Sequence, residues 1–249
     1  MKIIAFGSCL SRFVANHYIK IFGGKLVSCV YHNRSDAFVK RFITEEWSAI
    51  DIEKIFKNLE QDISLVDEDN KAINILNNQT VEKLGKHRLS KGTNVLTALN
   101  EDIDLIIVDN YMDLSARLAF HKSEDENGIF INLGNLKGKF VNSYYSDDYM
   151  TPQSAVQHMS TIIKYFQIHA KNAQVVFINF PYNTYSDKNR VERAKEYEQL
   201  SIDAFDCHVI KALNVHQSYQ TKDKQHFKPP QYAAYAGIIN NLVSDNNVF

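Results

Sequence analysis

Four side chains near the two ends of the chain have the chemistry of a nucleophile and its base. Ser8 and Cys9 stand in Phe6-Gly7-Ser8-Cys9, and Asp223 and His226 stand in Asp223-Lys224-Gln225-His226. A hydroxyl or thiol becomes a working nucleophile when a neighbouring imidazole takes its proton. A carboxylate three residues before a histidine in a tight turn can bond the ring, orient it and stabilise its charged form. Together they fit attack on an acyl carbonyl through a covalent intermediate. Taken alone, the second stretch also reads as a surface loop, since Lys222, Lys224 and Lys228 crowd it.

These groups need elements to hold them. Lys2 to Phe6 is an apolar run of strand type that Gly7 ends. Leu10, Phe13, Val14, Tyr18 and Ile21 then follow at helical spacing. Ser8 and Cys9 therefore lie in a strand-to-helix turn at a sheet's carboxyl edge. The free N–H groups of a helix start favour an anion there. At the other end, Pro229 and Pro230 close the loop and open a helix over 231–243. Between them the pattern predicts strands over 25–31, 104–108, 174–180 and 207–213, with Cys29 in the core. It predicts helices with an apolar face over 50–63 and 153–170, a charged helix over 187–205, and one or two more within 64–99, where His87 and Arg88 lie. Alternating strands and helices predict a mostly parallel sheet covered on both faces.

The two ends also carry a resemblance. Phe6-Gly7-Ser8-Cys9 resembles the F-G-D-S opening of SGNH/GDSL hydrolases, with Cys9 at the serine position. The G-S-C form is similar to the GSCFA branch and to related polysaccharide-biosynthesis acyltransferases. D-x-x-H before a helix with Tyr235-Ala236-Gly237 resembles the closing block of that superfamily. The resemblance implies an α/β fold: a three-layer α/β/α, flavodoxin-like (SGNH-hydrolase-like) domain over 1–249. It implies five mostly parallel strands in the order 2-1-3-4-5, with an insertion at about 115–152. Cys9 is the implied nucleophile, Ser8 the alternative, and Asp223 and His226 complete the catalytic set.

The same resemblance gives roles to two polar clusters. His32-Asn33-Arg34-Ser35 falls where the second block supplies a glycine N–H to the oxyanion hole, and that glycine is missing. Asn33 or a backbone N–H is the replacement, with Arg12, His32 and Arg34 as substrate-binding candidates. A polar loop whose Asn or Ser caps a helix is an equal reading. Asn110, in Asp109-Asn110-Tyr111, falls on the asparagine of G-x-N-D, although Val108 and Tyr111 depart from that pattern. An amide at the end of a buried strand can hold a developing oxyanion, and a turn-forming Asn is the alternative. In the insertion, 128–133 and 138–144 are expected to pair around Gly134-Asn135. Tyr144 to Tyr149 then form a lid or a sugar-stacking wall, with Tyr145 as the contact, or else an exposed hairpin or dimer contact.

Composition excludes several classes. The 249 residues are 45% hydrophobic with a formal net charge of −1, ordinary for a globular protein with a core and unlike a nucleic-acid binder. Three cysteines and no signal-like segment argue against a disulfide scaffold. No span of membrane length is present, so a cytoplasmic protein is expected. No H-E-x-x-H or paired C-x-x-C offers a metal site. The expected activity is acyl (acetyl) transfer to, or ester hydrolysis on, a carbohydrate or surface-polysaccharide precursor. Transfer is favoured, with no tightly bound cofactor and acetyl-coenzyme A as candidate co-substrate. The expected partners are a small-molecule acyl donor and a glycan acceptor. The alternative is a non-catalytic domain that binds a glycan or a partner protein.

Overall fold

The computed structural model describes residues 1–58, 71–86, 92–131 and 143–245. Strands β1 (Lys2–Gly7), β2 (Lys25–Tyr31), β3 (Leu105–Asp109), β4 (Ala119–His121), β5 (Glu124–Ile129), β6 (Tyr144–Ser146), β7 (Gln174–Ile178) and β8 (His208–Ile210) form two sheets. The larger has the order β2-β1-β3-β7-β8, and all its pairings are parallel. This is the expected five-stranded α/β fold in the expected strand order. Ile3, Ile4, Ala5 and Phe6, like Leu105 to Val108, are fully buried, because a parallel strand is covered on both faces.

Four long helices cover that sheet: α1 (Cys9–Phe22), α2 (Pro152–His169), α3 (Lys188–Ala204) and α4 (Pro229–Asp245). Helix α1 packs with α4, where the Tyr18 hydroxyl donates to Asn240 at 3.2 Å, and α2 packs with α3. Strand order reverses at β1, and right-handed crossovers then send the two pairs to opposite faces. Phe6 anchors the core with its ring 4.8 Å from Phe38 and 5.3 Å from Phe166, both edge-on. Among the described residues no helix is long and apolar enough to cross a membrane.

The insertion differs from its expected form. Strands β5-β4-β6 make a small antiparallel sheet in which β4 is central, with Phe120 opposite Tyr145. Its β4–β5 turn is at Lys122-Ser123. The expected Gly134-Asn135 turn lies outside the described residues. A second apolar cluster sits with this sheet: Ile55, Phe56, Leu76, Ala119, Ile129, Ile131 and Tyr144. The helix expected over 50–63 is described as Ile52–Asn58, and the region after it holds Lys71–Asn77 and Val95–Ala98. His87 and Arg88 lie outside the described residues.

Gly7 is the one glycine on which the site depends. Its φ is +132°, and a Cβ there would lie 2.6 Å from the Asp109 carbonyl oxygen and 2.8 Å from its carboxylate carbon. A backbone carbonyl in a buried strand cannot move aside. Gly7→Ala is therefore expected to cost about 2 to 6 kcal/mol from backbone strain and overpacking. Urea unfolding would read this as a lower midpoint at unchanged slope. A midpoint equal to wild type would refute it.

Candidate active site

The turn after Gly7 is pinned by a carboxylate from the neighbouring strand. Asp109 Oδ2 accepts the Ser8 N–H at 2.9 Å, the Ser8 hydroxyl at 3.0 Å and the Ser11 N–H at 2.9 Å. Its Oδ1 takes the Tyr111 N–H at 2.9 Å. Burial pushes this carboxyl above its usual range, against the pull of the N–H groups of Tyr111, Ser11 and Ser8. Ser8 is the N-cap of α1: its Oγ also accepts the Leu10 N–H at 3.0 Å, and the residue is 3% exposed. The hydroxyl of Ser8 is thus committed to holding the turn. Cys9, the first helical residue, is half-buried with a free thiol.

The candidate base comes from the loop before α4. His226 Nδ1 is 2.6 Å from Asp223 Oδ2. Asp223 Oδ1 accepts the Thr221 hydroxyl at 2.7 Å and the N–H groups of Gln225 and His226, each at 3.0 Å. This local ring of bonds closes the D-x-x-H turn, with Lys224 at φ +58°. Burial, the largest single influence, raises the Asp223 carboxyl, but the His226 bond and the other donors together outweigh it and hold it well below its usual value. The imidazole is pushed up to about 9, most by its hydrogen bond to the Cys9 side chain, against burial, with Asp223 adding to the rise. With Nδ1 on Asp223, the thiol meets Nε2. Phe13 on α1 is edge-on to the imidazole at 5.9 Å and packs on Tyr232 at 5.1 Å. The Tyr232 hydroxyl accepts the Phe227 N–H at 2.9 Å. These contacts dock the loop onto α1 and α4.

A histidine whose folded pKa exceeds its unfolded value, about 6.5, stabilises the fold fully below that pH. The stabilisation is lost as pH rises through about 9. An NMR titration should therefore show the His226 ring losing its proton near 9, and at clearly lower pH in Cys9→Ala. The same ordinary histidine pKa in both proteins would contradict the contact.

The other candidates are placed as follows. Arg12 Nη2 lies 3.8 Å from Cys9 Sγ, and its guanidinium sits over the Phe13 ring at 4.5 Å, so a cation flanks the thiol. Asn110 is 1% exposed; its Nδ2 donates to Asn179 Oδ1 at 3.2 Å and its Oδ1 accepts the Phe180 N–H at 2.8 Å. It ties the ends of β3 and β7 together and commits one amide hydrogen in doing so. Asn33 has both amide hydrogens engaged, with Asn78 O at 2.8 Å and Tyr31 O at 3.3 Å, which leaves neither for an oxyanion. Arg34 is also corrected: its buried guanidinium is enclosed by Asp36 at 2.8 Å and by Asp147, so its anions are internal. Neither Asn33 nor Ser35 caps the helix that begins at Ser35; the Ser35 N–H goes to Asp113 Oδ1 at 2.8 Å. His32, at φ +59°, stacks on Phe130 at 5.7 Å and donates its N–H to Gly7 O at 3.2 Å. Tyr145 stacks on Phe120 at 5.7 Å within the small sheet.

Burial pushes the Cys29 and Cys207 thiols up to about 12. Cys29 is fully buried as expected, while Cys207 is half-buried. Among the described residues no cluster of His, Cys, Asp or Glu could hold a metal ion. Sequence reasoning missed Asp109 as a site residue. The available signal was an acid ending a five-residue buried strand, which needs donors, beside a helix start that has N–H groups to give.

No family model matches the chain, and no curated protein matches it. Solved structures do. A carbohydrate esterase family 2 enzyme with a carbohydrate-binding domain, from Corynascus thermopiles (Myceliophthora fergusii), is similar with TM-score 0.51 at 8% identity. The match covers 100% of this chain and 67% of that one. An acetyl xylan esterase, Est2A, from the rumen bacterium Butyrivibrio proteoclasticus gives TM-score 0.44 at 12% identity, over 98% of this chain and 63% of that one. At 8% identity the first likeness is one of fold, and it sets this parallel α/β sheet beside that of a carbohydrate esterase.

Proposed function

We propose that the chain is an SGNH-type enzyme that moves an acyl group, most simply acetyl, through a thioester on Cys9. The acceptor is a carbohydrate or surface-polysaccharide precursor, or water in the hydrolytic form of the reaction. The observation that carries this reading is the Asp223–His226–Cys9 chain of hydrogen bonds, assembled from opposite ends of the sequence. The likeness of fold to a carbohydrate esterase supports the same class of substrate.

His226 Nε2 holds the proton of the Cys9 thiol, and the sulfur attacks the donor carbonyl carbon. The carbonyl electron pair moves to oxygen. The N–H groups of Leu10, Ser11 and Arg12 are used by Ser8 and Asp109. That leaves the Cys9 N–H, first in the helix, as the backbone donor for this oxyanion, with the Asn110 amide beside it. The intermediate collapses, the leaving group departs with the proton from Nε2, and the acyl group stays on sulfur. An acceptor hydroxyl or water then gives its proton to Nε2 and attacks the thioester, which restores the thiol. Arg12, 3.8 Å from Sγ, favours negative charge on sulfur in both steps.

The test is intact-protein mass spectrometry after mixing with acetyl-coenzyme A or with an activated acetyl ester. One acetyl group is expected, mapped to the peptide with Cys9 and discharged faster by a glycan hydroxyl than by water. Failure of Cys9 to acylate with any thioester or ester would sink the reading and favour a binding domain.

Asn110→Ala tests the oxyanion proposal. Loss of one donor typically slows turnover by about two to three powers of ten. The Michaelis constant should change little, because the contact strengthens only in the transition state. Loss of the clamp to Phe180 should also cost about 1–3 kcal/mol of stability. Full turnover in a destabilised Asn110→Ala would leave the residue a clamp alone.

A further inference from the structure

Three arginines converge on one tyrosine beside the loop that holds Asp223. From the centre of the Tyr149 ring the guanidinium carbon of Arg193 is 4.5 Å away, that of Arg117 5.8 Å and that of Arg190 6.0 Å. Arg190 also lies over the Tyr185 ring at 5.1 Å. Their side-chain hydrogen bonds go to backbone carbonyls: Arg193 Nη2 to Leu114 O at 2.8 Å and Arg117 Nε to Asp147 O at 2.6 Å. Among the described residues no carboxylate is within ion-pair distance of any of the three. The Nε atoms of Arg190 and Arg193 are buried without a hydrogen-bond partner.

This arrangement opposes stability on three counts. Arg190 and Arg193 fall near the start of α3, whose first turn carries no acid, and a helix start disfavours cations. They stand at i and i+3, where like charges repel. Burial, and then Arg190 itself, push the Arg193 guanidinium below its usual value. The nearby carboxylates have other duties: Asp187 caps α3 through the N–H groups of Asn189 and Arg190, and Asp223 holds His226. An external anion would satisfy all three costs at once.

The space for it exists. A cavity of about 140 Å³ is lined by Tyr185, Asp187, Arg190, Asp223, Lys224 and Gln225, among others. It is smaller than the ~300–1,000 Å³ of a drug-sized pocket and suits one charged group. It also borders the reaction centre. The Tyr111 hydroxyl, pushed up to about 12 mainly by burial, feels Arg190, Cys9 and Asp223 together. Of the lining residues Arg190 and Lys224 carry the positive charge, and a guanidinium fork with an ammonium beside it exceeds what one planar carboxylate can use. A phosphate or pyrophosphate has the acceptor oxygens and the charge to engage them all.

We propose that this cleft is a phosphate-binding subsite of the acyl-transfer site. The substrate it serves rests on the Cys9 reading above; the binding itself does not. The phosphate belongs either to a nucleotide-bearing acyl donor or to a phosphorylated sugar acceptor.

The experiment is calorimetric titration with inorganic pyrophosphate, which requires no acyl chemistry. Wild type is expected to bind it, with affinity falling as salt rises. Arg190→Gln and Lys224→Gln, the two cations that line the cavity, should each weaken binding at least about tenfold. Arg190→Lys, which keeps charge but loses the fork, should fall between, and Lys211→Gln, an exposed site after β8, should bind as wild type. Thermal melting confirms that each variant is folded. No binding to wild type at millimolar pyrophosphate, or binding equal to wild type by folded Arg190→Gln and Lys224→Gln, overturns the proposal. Two kinetic arms then separate the sources. If the donor carries the phosphate, Arg190→Gln raises the Michaelis constant for acetyl-coenzyme A but not for S-acetylpantetheine. If the acceptor carries it, the rise appears for a sugar phosphate but not for the free sugar. Turnover that shows neither difference overturns the assignment. Should Cys9 never acylate, the calorimetry alone decides.

Discussion

Cys9→Ala is expected to lower turnover by about four to six powers of ten, leaving only what binding and the oxyanion donors provide. The thiol meets the base at this turn, whereas the Ser8 hydroxyl is held by Asp109 and by the Leu10 N–H. Nucleophile and base act as one unit, so His226→Ala should cost nearly as much and the double variant no more than either single one. Ser8→Ala should behave differently: it loses the cap and a bond to Asp109, which destabilises by about 1–2 kcal/mol but leaves the thioester chemistry in place. Iodoacetamide should label Cys9 ahead of Cys29 and Cys207, whose thiols burial pushes up to about 12. Acyl-enzyme formation in Cys9→Ala, or its loss in a folded Ser8→Ala, would move the role to Ser8.

Asp223→Asn is expected to lower turnover by about three to four powers of ten, with substrate affinity little changed. The carboxylate fixes which ring nitrogen faces the thiol and stabilises the imidazolium at 2.6 Å. An amide can hold the ring with the wrong tautomer, leaving Nε2 without a lone pair for the thiol proton. The His226 ring should then lose its proton at lower pH than in wild type, because one of the groups that raise it is gone. The loop should survive, since an amide oxygen can still accept from the Gln225 and His226 N–H groups at the Oδ1 position. Turnover within tenfold of wild type would reduce the triad to a Cys9–His226 dyad.

What was legible in the sequence follows the range of the forces involved. Strand β2 was bounded at Lys25 and Tyr31 from its apolar run alone, and the turn at Gly7 and the D-x-x-H loop were readable because neighbouring residues dictate both. Strand β5 was not, because Glu124 to Ile129 has the composition of a loop and is a strand only through its pairing with β4. Asn33 and Arg34 looked free for a ligand because one partner of each is remote. Asn78 is 45 residues from Asn33, and Asp147 is 113 from Arg34. The arginines around Tyr149 were hidden likewise: two lie on α3, and Arg117 and the ring itself belong to the insertion. Within the aromatic segment that the sequence read as a lid or an exposed hairpin, Tyr149 faces Arg190 and Tyr145 stacks within its own sheet.

The carboxylate that secures the nucleophile's turn belongs to a residue 101 positions downstream. During synthesis, β1 and α1 leave the ribosome long before β3, so the thiol is made well ahead of the brace that aims it. Its base follows only with the last strand, loop and helix. If Cys9 is the nucleophile, its reactivity is a late event in the life of each molecule, gated by closure of long-range contacts, which form slowly. A chain arrested or cleaved before β3 carries an ordinary cysteine, and one cut before α4 carries an aimed thiol with no base.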